Sequence, residues 1–283
     1  MDNGVNEKNS LSKNTALDQL SNGDRVIRRE SEVIVQFSGK RSVICTSPLG
    51  GGIREDLTAV FNHCDMEPIT RYCRMYGDTY EEHLAYVARS AGLDPEHAAG
   101  LSTACFMDRM RTARIMVNGI TVTLLLTGGI NKNARCAGDP ATLWEENGMF
   151  SSVDALSETY EKEFVLVKEG RIFPKPGTIN IILHIDTALS PGALAGAIMV
   201  LSEAKAAAIH ELNIQSCYSE DEATGSGTDG IIVIANAESN RTLTQIRTDT
   251  KMGEQISYLL RETLKDSMIA AMQEIDEGYI EPK

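Results

Sequence analysis

Basic residues are in short supply in this 283-residue chain: twenty-seven lysines and arginines face forty aspartates and glutamates, a formal net charge of −13. A surface of that sign repels phosphate over most of its area, which argues against nucleic acid or an anionic membrane as the partner and leaves only a local basic patch. Long apolar runs are missing as well. The Asn-, Ser- and Lys-rich start, Met1 to Leu20, has no apolar core of the kind a signal peptide needs. No later segment supplies the roughly 20 uninterrupted apolar residues of a membrane span, so a cytoplasmic protein is expected. Cys45, Cys64, Cys73, Cys105, Cys136 and Cys217 contain no Cys-x-x-Cys pair and no histidine cluster joins them. Reduced thiols follow from that, and no metal site is expected. Also absent are a P-loop, since no Lys-Ser or Lys-Thr closes a glycine-rich loop, and the Gly-x-Gly-x-x-Gly of a dinucleotide fold.

What is present is a core, with 42% hydrophobic residues. Residues 1–24 carry few large apolar side chains and read as a disordered or loosely attached arm, leaving 25–283 as a single domain. Strands are expected at 32–37 and 41–46, joined as a hairpin through Ser38-Gly39-Lys40, and at 56–63, 101–107, 113–117 and 120–127. Asn118-Gly119 is a type I′ hairpin signal between the last two. Further strands are expected at 177–185, 231–235 and 242–247, and a surface excursion from Trp144 to Tyr160. Helices are expected at 78–92, capped by Asp78, at 190–212, opened by Ser190-Pro191, and at 253–275, where Ile256, Leu259, Leu260, Leu264 and Met268 share one face. The fold class is therefore α+β (or α/β), with mixed, mainly antiparallel β-sheets covered by long helices on the outer face. A doubly wound parallel sheet is the second choice.

Two polar, glycine-rich loops open directly off buried strands. Thr224-Gly225-Ser226-Gly227-Thr228-Asp229-Gly230 precedes Ile231–Ala235, and Thr127-Gly128-Gly129-Ile130-Asn131-Lys132-Asn133 runs on to Asp139. Glycine lets a ligand approach the backbone, while hydroxyls, amides and carboxylates supply donors and acceptors there. The same residues are also the ordinary vocabulary of turns. His184, inside a strand, reads as a hydrogen-bonded core residue rather than a catalyst.

With those loops in view, the chain resembles the adenosylcobinamide amidohydrolase family, the CbiZ proteins of corrinoid salvage. The matching stretches are Gly50-Gly51-Gly52 leading to Asn62, Ser102-Thr103-Ala104, the 127–134 loop with Gly138-Asp139, Gly177–Asn180, Ala193-Leu194 with Glu203-Ala204-Lys205, the 224–229 loop and Gly253-Glu254. Gly128 stands where the family pattern has alanine, and Ser226 where threonine is usual. The resemblance implies hydrolysis of the amide between a corrin side chain and aminopropanol, giving adenosylcobyric acid, with a small-molecule corrinoid as substrate rather than a bound cofactor. A homo-oligomer is compatible with it.

Amide hydrolysis needs an activated nucleophile, a donor for the oxyanion and an acid for the leaving amine. The residues assigned to catalysis are Asp229, Thr228, Ser226, Asp139 and Glu203. Those assigned to substrate are Asn62, Thr103, Thr127, Gly128, Gly129, Asn131, Asn133, Asn180, Lys205, Thr224, Gly225, Gly227 and Glu254. Cys105 is a minor candidate for a thiol nucleophile. The rivals are a corrinoid-binding module without chemistry and an amidohydrolase of another amide.

Overall fold

The computed structural model describes residues 12–13, 19–67, 73–130, 133–141, 143–152, 165–167, 170–173 and 177–276. Asn131 and most of the amino-terminal arm lie outside them. The largest sheet has seven strands in the order β1 (Ser12–Lys13), β9 (Arg111–Val117), β10 (Ile120–Gly129), β15 (Thr178–Ile185), β17 (Gly230–Asn236), β4 (Arg41–Cys45) and β5 (Gly52–Arg54). A second sheet runs β2 (Arg25–Arg28), β3 (Glu32–Gln36), β6 (Ala59–Cys64) and β8 (Ala98–Thr103). Smaller pieces are β7 (Cys73–Met75) with β13 (Val165–Val167) and β14 (Gly170–Phe173), the hairpin β11 (Leu143–Glu146) and β12 (Met149–Ser152), and β16 (Ala188–Leu189) beside β18 (Thr242–Leu243).

The alternation of side chains along each strand decides how these sheets stack. Leu124, Leu126, Ile181, Leu183, Ile231 and Val233 point one way, into a core shared with helices α2 (Pro191–Glu211) and α3 (Lys251–Asp276). Leu125, Ile182, Ile232 and Ile234 point the other way and meet Val33, Val35, Val60 and Leu101 of the second sheet. That sheet's far face, with Ile34 and Phe61, packs on Leu84, Val87 and Ala88 of α1 (Tyr80–Ser90). The result is four layers, helix, sheet, sheet, helix. The fold is α+β, and antiparallel pairs predominate: β15–β17 is the parallel pair of the large sheet and β6–β8 that of the small one. A doubly wound sheet is thereby ruled out for these strands.

Several local expectations shift. Ser38-Gly39-Lys40 is a corner between the two sheets, not a hairpin: β3 pairs with β2 and β6, β4 pairs with β17 and β5, and Val33 and Val35 meet Val43 and Cys45 across the inter-sheet core. Thr79, not Asp78, caps α1: its hydroxyl accepts from the Glu82 N–H, and Glu82 reaches back to the Thr79 N–H. The strand expected at 101–107 is β8, ending at Thr103. Leu20 and Asp24, placed by composition in a loose arm, are buried. Helix α2 is long and apolar enough to cross a membrane by composition, but its apolar residues Leu194, Ala197 and Leu201 are buried against the sheet.

Candidate functional site

Strands β10 and β15 are antiparallel, so the carboxyl end of one meets the amino end of the other, with Thr127 opposite Asn180 and Gly129 opposite Thr178. Thr127 and Asn180 share the parity of Leu125 and Ile182 and therefore face the second sheet. There they meet Asn62 near the end of β6. The Asn62 Nδ2 donates to Thr127 Oγ1 at 2.9 Å, and the Asn180 Nδ2 donates both to Asn62 Oδ1 at 2.7 Å and to the Ser102 carbonyl at 2.8 Å. All three side chains are buried and bonded, which makes a polar plug tying the two sheets together at one end. Thr103, buried beside it, accepts the Cys105 N–H.

The 224–230 loop closes over the same end because β17 starts beside β15, with Gly230 opposite Asn180. Its carboxylate is fully engaged. Asp229 Oδ1 accepts from the Ile179 N–H at 3.0 Å and the Ser226 hydroxyl at 2.6 Å, while Oδ2 accepts from the Ser226 N–H and pairs with Lys205 Nζ of α2. A side chain on Gly225 would collide with that ion pair, which explains the glycine. Thr228 is exposed, and its hydroxyl lies 3.2 Å from Ser226 Oγ and 3.1 Å from Thr178 Oγ1. Hydroxyls thus run from the surface inward to the carboxylate.

The second glycine-rich loop docks on the first. Arg135 and Gly225 exchange backbone bonds, Thr224 Oγ1 accepts the Ala137 N–H at 2.9 Å, and Gly227, at φ +82°, lies against the Arg135 side chain. Asp139 accepts from the Ser216 hydroxyl at 2.6 Å and from the Cys136 N–H, and hydroxyls of Ser216 and Ser219 hold its carboxyl below the usual range. It braces a turn. Asn133 clamps Gly177 in both directions, accepting its N–H and donating to its carbonyl. Gly128 packs on Leu264 and Met268 of α3, whereas the side of Gly129 where a Cβ would stand faces open space.

Two assigned residues stand apart. Glu203 is exposed on α2 and two positions from Lys205, so it points away from the Lys205–Asp229 pair. Glu254 is half exposed, paired with Lys251 in the first turn of α3. It is about 15 Å along that helix from Leu264, which touches Gly128. Asn131 lies outside the described residues.

Residues that sequence reasoning passed over gather on the α1 side of the same end. His83, fully buried, accepts the Tyr76 N–H at Nδ1 and therefore donates from Nε2 to Asp65 at 2.8 Å. His63 lies between Glu32 and Asp65, at 3.6 and 3.9 Å, and its hydrogen bond holds the Glu32 carboxyl below its ordinary value. Burial, with the Asp65 charge, pushes the Tyr80 hydroxyl up to about 12, and that hydroxyl accepts the Ser102 N–H. A signal was available: His83 sits on the apolar stripe with Leu84, Val87 and Ala91. Among the described residues no group of three or more His, Cys, Asp and Glu is arranged to hold a metal.

Comparison with known proteins places this arrangement in a family. An uncharacterised protein of Methanocaldococcus jannaschii is 33% identical over 251 residues, covering 87% of this chain and 89% of that protein. A solved structure from Pyrococcus horikoshii covers 94% of this chain and 85% of its own, with 9% identity and a TM-score of 0.37, too low to carry a structural argument. The family model for adenosylcobinamide amidohydrolase, CbiZ, matches residues 17–275, which takes in both sheets except β1 and both glycine-rich loops. The chain belongs to the adenosylcobinamide amidohydrolase family.

Proposed function

We propose that the protein hydrolyses the amide joining a corrin side chain to aminopropanol in adenosylcobinamide, releasing adenosylcobyric acid. Family membership supports the reaction class. The observation that carries the local reading is the hydroxyl chain at the mouth of the sheets, from exposed Thr228 through Ser226 to Asp229. A proton leaving the Thr228 hydroxyl, or a water bound at it, has a short route through Ser226 to a carboxylate anchored by Lys205 and the Ile179 N–H. The scissile amide would lie along the open backbone at Gly129, beside Thr178, where a ligand meets no side chain. Asp139 and Asn133 hold the loops in place in this scheme, and Asn62, Thr127 and Asn180 form the floor.

Incubation with adenosylcobinamide is expected to release free aminopropanol and adenosylcobyric acid in equal amounts. A shifted corrinoid spectrum without released amine would replace this reading with that of a binding module. Hydroxylamine added during turnover separates the two nucleophiles: a trapped hydroxamate means attack by a hydroxyl, its absence attack by water.

A further inference from the structure

The hairpin β11–β12 has a defined register and carries four exposed apolar side chains, Leu143, Trp144, Met149 and Phe150. Asn147 and Gly148 at its turn have φ of 54° and 79°, the type I′ geometry that matches strand twist and fixes register. Trp144 therefore stands opposite Ser151 and Glu146 opposite Met149, so Trp144, Met149 and Glu146 share one face. Trp144 is 63% exposed and Met149 45%; Leu143 and Phe150, on the other face, are also exposed. A lone two-stranded hairpin is marginal in water, so leaving its large apolar side chains in solvent does nothing for the core.

Its anchors lie on both flanks of the site. At its base, the Pro140 carbonyl accepts from Arg135, the residue paired with Gly225 of the catalytic loop. At its tip, Gly148 abuts Thr79, and the neighbouring Tyr80 holds Ser102, whose carbonyl receives Asn180. We propose that this hairpin is the platform for the substrate's ring system, with the Trp144–Met149 face packed on the corrin macrocycle. The inference rests on the functional reading above. A corrin is a broad, largely apolar macrocycle carrying a net positive charge in adenosylcobinamide. An exposed aromatic ring with a thioether and the carboxylate of Glu146 complements it in shape and sign.

The test uses the full-length protein and two ring-bearing probes, adenosylcobinamide as substrate and adenosylcobyric acid as product inhibitor. Trp144→Ala is expected to raise KM about tenfold, equivalent to about 1.4 kcal/mol, with kcat held within about twofold. It should weaken product inhibition by the same factor, and Met149→Ser should act in the same direction. Unchanged KM and inhibition in Trp144→Ala, with the wild type active, would overturn the platform alone. A smaller mass by light scattering for Trp144→Ala than for the wild type, with corrinoid binding intact, would overturn it in favour of self-association. A wild type that neither binds corrinoid nor releases amine would overturn the functional reading and this inference with it.

Discussion

Asp229 is the side chain on which the 224–230 loop turns, since four bonds to one carboxylate fix the loop to β15 and to α2. Thr228 is held more lightly and stands in solvent, so it can be altered with little cost to folding. Thr228→Val is expected to lower kcat by about 100-fold, the lower end for lost acid–base assistance, with an unchanged melting temperature; undiminished turnover would remove Thr228 from the scheme. A second buried cluster sits at the far end of the inter-sheet layer, where Arg41 donates to Asp24 at 2.7 and 2.8 Å and His184 lies 3.3 Å away. Burial pushes the Asp24 carboxyl up, but the His184 ring 3.3 Å away and hydrogen bonds from Arg41 and Ser38 outweigh it and hold the carboxyl far below its ordinary value. A depressed carboxylate contributes stability that is full above the unfolded pKa of about 3.9 and is lost as pH falls towards the folded value. Asp24→Asn should therefore cost about 3–5 kcal/mol at pH 7 by removing the buried carboxylate that neutralises Arg41 and leaving it only the exposed Glu238 at 3.4 Å. The difference should shrink in urea titrations near pH 3. Reading the chain alone named Asn62, Thr127, Asn180 and the Asp229 loop, because glycine and small polar residues beside β-branched runs are visible locally. It passed over Asp65 and His83, which come together only when β6 and α1 stack.

Among the elements, the signals that depend on a few adjacent residues were the legible ones. Asn118-Gly119 marked the β9–β10 turn, and Ser190-Pro191 marked the start of α2, whose Ser190 hydroxyl accepts the Ala193 N–H. Asn147-Gly148 carries the same turn signal, but the acidic residues around it hid the hairpin within an apparent excursion. The corner at Ser38–Lys40 was misread because nothing local tells two strands in one sheet from two strands in facing sheets. Strand β8 illustrates what facing layers demand: a Cβ on Gly100 would overlap the Phe61 ring. Gly100→Ala should cost about 1–3 kcal/mol through overpacking, and Phe61→Leu in the same chain should recover part of it, read as a non-additive double-mutant cycle in thermal unfolding.

For the whole molecule, the resemblance found from scattered motifs spanned both sheets, and the four-layer stacking explains part of their spacing: the 102–104, 127–134, 177–180 and 224–229 motifs end or begin strands at one end of the sandwich, while 193–205 and 253–254 lie in α2 and α3. The stacking itself was not legible, since which sheet a strand joins is settled by partners distant in sequence. The acidic balance has a kinetic reading as well. With a formal charge of −13 and the cationic corrinoid proposed as substrate, raising salt from about 0.05 to 0.5 M should increase KM several-fold while leaving kcat nearly constant. A salt-independent KM would mean that long-range attraction plays no part.

Helices α2 and α3 run side by side in the same direction, with Gly196 against Ile246 near their starts and Glu211 paired with Arg261 and Lys265 further on. Lys205 and Ser267, towards their carboxyl ends, reach the Asp229 loop and Gly128. Both macrodipoles thus turn their electronegative poles towards the end of the sheets where the site is proposed. A phosphorylated or otherwise anionic amide meets an unfavourable potential from these two helices before any contact is made, so the orientation of two scaffold rods already sorts visitors by sign.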